Sequence, residues 1–178
     1  MRTRVGYAGG TTQRPTYESI GDHTETFQVD YDPTRITYEE LLELFWQSHD
    51  PTGVAFSRQY RELILVHDER QRRAAEASKG RWEKKLGQPV RTAIEDLGEF
   101  TRAEDYHQKF TLRSWKAVAA ELIAVYGGSD RFTDSTAAMR LNAYLAGRGT
   151  PEQVERDLPL LGLSPEAARQ VRDRVQGR

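Results

Sequence analysis

Residues 25–46 read Glu-Thr-Phe-Gln-Val-Asp-Tyr-Asp-Pro-Thr-Arg-Ile-Thr-Tyr-Glu-Glu-Leu-Leu-Glu-Leu-Phe-Trp, and within them the apolar spacing changes once. Over 25–31, Phe27, Val29 and Tyr31 alternate with Thr26, Gln28 and Asp30, the period of a strand with one buried face. Glu25 falls in phase with the apolar set, so its carboxylate is expected to need a partner or a proton. From Thr37 the spacing becomes helical. Thr37 and Glu40 form a capping box, and Tyr38, Leu41, Leu42, Phe45 and Trp46 make one apolar stripe. Pro51 requires that helix to end just before it.

Working outward, Thr3, Val5 and Tyr7 share a face of a first strand that Gly9-Gly10 breaks. A polar loop, Thr11 to Asp22, joins it to the second strand. On the other side, Leu63-Ile64-Leu65-Val66 reads as a strand buried on both faces. Asp68 with Gln71 caps a second helix that carries Ala75, Ser78, Trp82 and Leu86 and stops at Gly87. Pro89 to Glu95 is the last expected strand. From about Ala103 the pattern is helical throughout: Trp115, Val118, Leu122 and Val125 repeat up to Gly127, and Thr136 to Ala146 follows. Two more helices open alike at Thr150-Pro151 and Ser164-Pro165, each an N-cap followed by proline. The order strand, strand, helix, strand, helix, strand, helices is α+β. It divides into residues 1–112 and an all-helical extension, 113–178.

Composition narrows the function. The 178 residues carry a net charge of -1, which gives no electrostatic reason to expect nucleic acid or an anionic membrane as partner. No apolar run approaches the roughly 18 residues of a membrane span. Met1 to Val5 has positive charge but no apolar stretch behind it, unlike a secretory signal, so the cytoplasm is the expected location. There is no cysteine, which rules out disulfides, thiolate metal sites and a cysteine nucleophile within these residues. His23, Glu25, His49, Asp50 and His107 match no metal-ligand spacing, so no metal is expected. Gly9-Gly10 lacks the helix that a phosphate cradle needs and suits a tight turn.

Several motifs recur in one order: Gly6-Tyr7-Ala8-Gly9-Gly10, Pro15-Thr16-Tyr17-Glu18, Gly21-Asp22-His23-Thr24-Glu25, Tyr31-Asp32-Pro33, Phe45-Trp46, His49-Asp50-Pro51, Gln59-Tyr60-Arg61 and Ala103-Glu104-Asp105-Tyr106-His107-Gln108. Together, from about Thr3 to Leu112, they resemble the A-type methionine sulfoxide reductases, peptide-methionine (S)-S-oxide reductases. The resemblance implies reduction of methionine S-sulfoxide, in proteins or as the free amino acid, with no bound cofactor and with thioredoxin or another thiol as donor. It implies a role in protein repair under oxidative stress. In that chemistry a cysteine thiolate attacks the sulfoxide sulfur and the oxygen must be protonated to leave. By resemblance Glu18 is the proton donor, and Tyr7 and Tyr60 hydrogen-bond the sulfoxide oxygen. His23, Glu25, Asp105 and His107 are further binding candidates. A carboxylic acid of raised pKa can protonate near neutrality, and phenols donate to developing charge without ionising.

The departures from that pattern are as informative. The family's Gly-Cys-Phe-Trp block has no counterpart here, and with it go the nucleophile, two aromatic residues, a strand and a helix. The fold expected is therefore a split β-α-β (ferredoxin-like) sandwich lacking its first strand and helix, with the helical appendage at its end. The loop Thr52 to Arg58 is short and has Val54, Ala55, Phe56 and Ser57 where the family carries an aspartate. These features lead us to expect a shortened form of a longer reductase that is inactive alone. A cysteine-less module that binds methionine sulfoxide or a protein is the alternative.

Overall fold

The computed structural model describes residues 1–177. Three strands form one sheet in the order β2-β1-β5: β1 (Arg2–Ala8), β2 (Thr24–Asp30) and β5 (Thr101–Arg102). β1 and β5 are antiparallel, Gly6 facing Arg102 and Tyr7 facing Thr101. A separate parallel pair joins β3 (Leu63–Val66) to β4 (Ala93–Asp96) in the register Leu63–Ala93 to Val66–Asp96. The chain is thus mixed, with small sheets and more helix than strand.

Compactness divides the chain into two units, which share β1 and β2 between them. One comprises Gly6–Thr26 and Tyr31–Ala103. Its core gathers Leu42 and Trp46 of α1 (Tyr38–Gln47), Ile64 and Val66 of β3, and Ala75 and Trp82 of α2 (Glu69–Leu86), with Val90. The capping box of Thr37 and Glu40 is present, as are the Asp68 cap on Gln71 and the left-handed Gly87. Two polar side chains within this core are matched: the Trp46 indole donates to Ser78 Oγ at 2.9 Å, and Ser78 donates to the Ala75 carbonyl.

The other unit comprises Met1–Val5, Phe27–Asp30 and the residues from Glu104 on. It holds α3 (Phe110–Ser114), α4 (Lys116–Tyr126), α5 (Ser129–Thr133), α6 (Thr136–Leu145), α7 (Pro151–Asp157) and α8 (Pro165–Val175). Leu112, Val118, Leu122, Phe132, Leu141, Leu145, Val154 and Val171 are fully or almost fully buried there. Strand residues are held by side chains from the helical stretch. Gln108 exchanges two hydrogen bonds with the Val5 backbone, and Arg4 pairs with Asp134 at 2.7 Å. Thr136 donates to the Met1 carbonyl.

Some expectations are corrected. The face of β2 that carries Glu25 and Phe27 is the open one: Glu25 is exposed and Phe27 is 63% exposed, whereas Thr24 is buried. Thr24 turns inward because its hydroxyl donates to the Arg58 carbonyl and accepts from Arg61 Nε, so polar bonds outweigh the burial of one phenyl ring. β3 is fully buried only at Ile64 and Val66, with Leu63 and Leu65 half-buried. The strand expected from Pro89 begins at Ala93, and the helices begin at Phe110 rather than near Ala103.

Candidate functional site

In the unit built around Trp46, the turn after β1 is fixed by charge-assisted bonds. The Asp22 carboxylate accepts from the backbone N–H groups and hydroxyls of Thr11 and Thr12. Those donors, the Thr12 hydroxyl foremost, hold its pKa far below the usual carboxylate range. Gly9 adopts a left-handed conformation that favours glycine. Its carbonyl accepts from Arg58 at 3.1 Å and Arg61 at 3.4 Å. Arg61 also grips Glu95 of β4 through two nitrogens, at 2.6 and 2.8 Å. Arg58, Gln59 and Tyr60 form a single 3-10 turn between these two arginine anchors.

That clamping presents Tyr60. A linked series of side chains runs across it: Gln59 Nε2 donates to Glu25 Oε1 at 2.8 Å and lies 3.1 Å from the Tyr60 hydroxyl, which is itself hydrogen-bonded to Tyr17. Desolvation first, then the Glu25 charge, raises the Tyr60 pKa above the ordinary phenol value. Tyr60 therefore keeps its proton near neutral pH and can donate it in a hydrogen bond. Phe56, from the shortened loop, stacks on Tyr60 with centroids 5.2 Å apart.

The candidates named from sequence do not all meet. Glu25 and Tyr60 are linked through Gln59. Tyr7 lies in the same unit but is 2% exposed within β1. Glu18 is exposed, in the tight turn where Thr16 and Ser19 bond each other's backbones. His23 is buried, its Nε2 donating to the Thr12 carbonyl at 2.7 Å, which assigns that nitrogen the proton. Asp105 and His107 belong to the other unit, where His107 stacks on Tyr106. Among the described residues no three histidine or carboxylate side chains gather as a metal would require. Tyr17 and Gln59, which complete the series around Tyr60, stood within the quoted motifs but were given no role there; no periodicity marks them.

The Peptide methionine sulfoxide reductase family model matches residues 1–137. A Drosophila melanogaster peptide methionine sulfoxide reductase is 42% identical over 167 residues, covering 93% of this chain and 67% of that protein. Peptide methionine sulfoxide reductase A5 of rice, Oryza sativa subsp. japonica, is 41% identical over 162 residues, 88% of this chain and 63% of its own length. The chain thus spans about two thirds of these relatives, and the matches extend well into the helical stretch. Among solved structures, reduced Mxr1 of Saccharomyces cerevisiae aligns with a TM-score of 0.59 at 31% identity, covering 63% of this chain and 70% of that one. On the extent of these matches, the chain belongs to the peptide methionine sulfoxide reductase family.

Proposed function

We propose that these residues supply the oxygen-binding side of a methionine S-sulfoxide reductase centre. The observation that carries this reading is the Tyr60 phenol, presented at the surface and tied through Gln59 to Glu25. A sulfoxide oxygen carries partial negative charge that grows as the S–O bond breaks, so fixed neutral donors stabilise it increasingly along the reaction. Tyr60 holds that oxygen; by family resemblance alone, the buried Tyr7 is a second donor to it and Glu18 is the carboxylic acid that protonates it. A thiol attacks the sulfoxide sulfur, the oxygen passes to the thiol as a sulfenic acid, and the thioether is released. Two further thiol groups, from thioredoxin or another dithiol, then regenerate the first thiol with loss of water. No cysteine lies within the 178 residues, so the attacking thiol is not one of their side chains, and a chain of these residues alone binds without turning over. Reading the two small sheets as parts of a split β-α-β sandwich, with residues 113–178 as a helical extension, belongs to this proposal. Its setting is a protein-repair activity in the cytoplasm.

The test is a binding measurement that needs no thiol. Fluorescence anisotropy of a labelled peptide with one methionine S-sulfoxide between glycines is compared with the thioether form. The sulfoxide is expected to bind several-fold tighter, and Tyr60→Phe to erase the difference. Equal binding of the two forms by the unaltered chain contradicts the reading.

A further inference from the structure

The loop that follows Pro51 exposes three successive apolar residues, Val54, Ala55 and Phe56, with Val54 at 75% and Phe56 at 85% exposure. Runs of exposed apolar side chains are costly in solubility and mark contact sites where they persist. Phe56 is not loose, because its ring packs on Tyr60 at 5.2 Å with planes inclined by 32°. The Tyr60 hydroxyl points into polar partners on its other side, Gln59 and Tyr17. The result is a two-ring ledge: one end offers a phenol donor and the other an open hydrocarbon face.

We infer that Phe56 is a specificity-determining residue that receives the apolar side chain two positions from methionine sulfoxide in an extended polypeptide. This rests on the reading of Tyr60 as the oxygen donor. In an extended peptide, side chains two positions apart share one face and stand about 6.6 Å from each other. A side chain two positions from one held at Tyr60 therefore comes within reach of a ring centred 5.2 Å away. Phe56 is too open to enclose a group as small as a methyl but suits a branched aliphatic or aromatic neighbour, which would bury part of its free face. The substrate class selected is unfolded or locally exposed protein segments in which the oxidised methionine stands among apolar residues, in preference to free methionine sulfoxide.

The experiment uses three labelled peptides with the full chain: methionine S-sulfoxide flanked by leucines two positions away on each side with glycines between, the same residue flanked only by glycines, and unoxidised methionine in the leucine sequence. The leucine-flanked sulfoxide is expected to bind tightest. Phe56→Ala weakens that peptide about five- to tenfold and leaves the glycine-flanked sulfoxide unchanged, while Phe56→Trp preserves the preference. Equal loss for both sulfoxide peptides would assign the ring to the sulfoxide's own methyl group and overturn the inference, as would no loss for either. If the unaltered chain binds the unoxidised leucine peptide as well as the oxidised one, the Tyr60 reading has failed and the inference falls with it. A preference for oxidised peptides without a leucine effect would overturn the inference alone.

Discussion

Tyr60 shows how a residue of ordinary type acquires a distinctive setting from its neighbours. Alone, a tyrosine beside an arginine says little; here two arginines fix the turn that carries it, and Gln59 connects it to a carboxylate. Its role entered through resemblance, since Tyr17 and Glu25 lie 43 and 35 positions before Tyr60 in the chain and no spacing rule joins them. Glycine speaks more directly. A Cβ on Gly6 would sit 2.3 Å from the Thr101 carbonyl oxygen, where β1 and β5 approach. Gly6→Ala is therefore expected to destabilise by about 1–3 kcal/mol, seen as a lower urea midpoint. An unchanged midpoint would mean that this close strand approach is not maintained in solution.

Elements were legible where capping chemistry and period agreed. α1 runs from its Thr37 box to Gln47, ahead of Pro51, and α7 and α8 open at Thr150 and Ser164 as their Ser/Thr-Pro signals indicate. Replacing Thr37 by alanine removes the bond to the Glu40 amide and is expected to cost about 1 kcal/mol of stability by urea titration. The side of β2 that faces inward was not legible, because alternation reveals two faces without saying which is buried. Thr24 and its arginine partners decide that, through contacts 34 and 37 residues away in sequence. α5 escaped notice because five residues are too few to show a helical period.

Across the molecule, apolar spacing and caps indicated a helical C-terminal stretch, but not how the compact units form. Residues Met1–Val5 fold with the helices because Gln108, Asp134 and Thr136 bind Val5, Arg4 and Met1, and Arg4 in turn bonds Gln28 and Asp30 of Phe27–Asp30. Within that unit Asp157 is buried between Tyr144, Arg140 and Arg156. The hydrogen bond from Tyr144 lowers the Asp157 pKa, so its contribution is present above the unfolded value of about 3.9 and disappears as pH falls through the folded one. Burial, then the Asp157 bond, pushes Tyr144 up to about 12. Its contribution is complete below the unfolded value of about 10 and is lost as pH climbs through 12. Asp157→Asn should lower stability by about 1–3 kcal/mol at neutral pH and flatten the acid limb of the urea-midpoint profile; an unaltered acid limb would remove Asp157 from this role. The central claim, that oxygen recognition resides in these residues while the attacking sulfur does not, is met most directly by mass spectrometry. The purified 178-residue chain is incubated with a methionine S-sulfoxide peptide and excess dithiothreitol, and the peptide is weighed for loss of one oxygen. The account predicts no loss above the rate without protein; steady deoxygenation, abolished by Glu18→Gln, would contradict it.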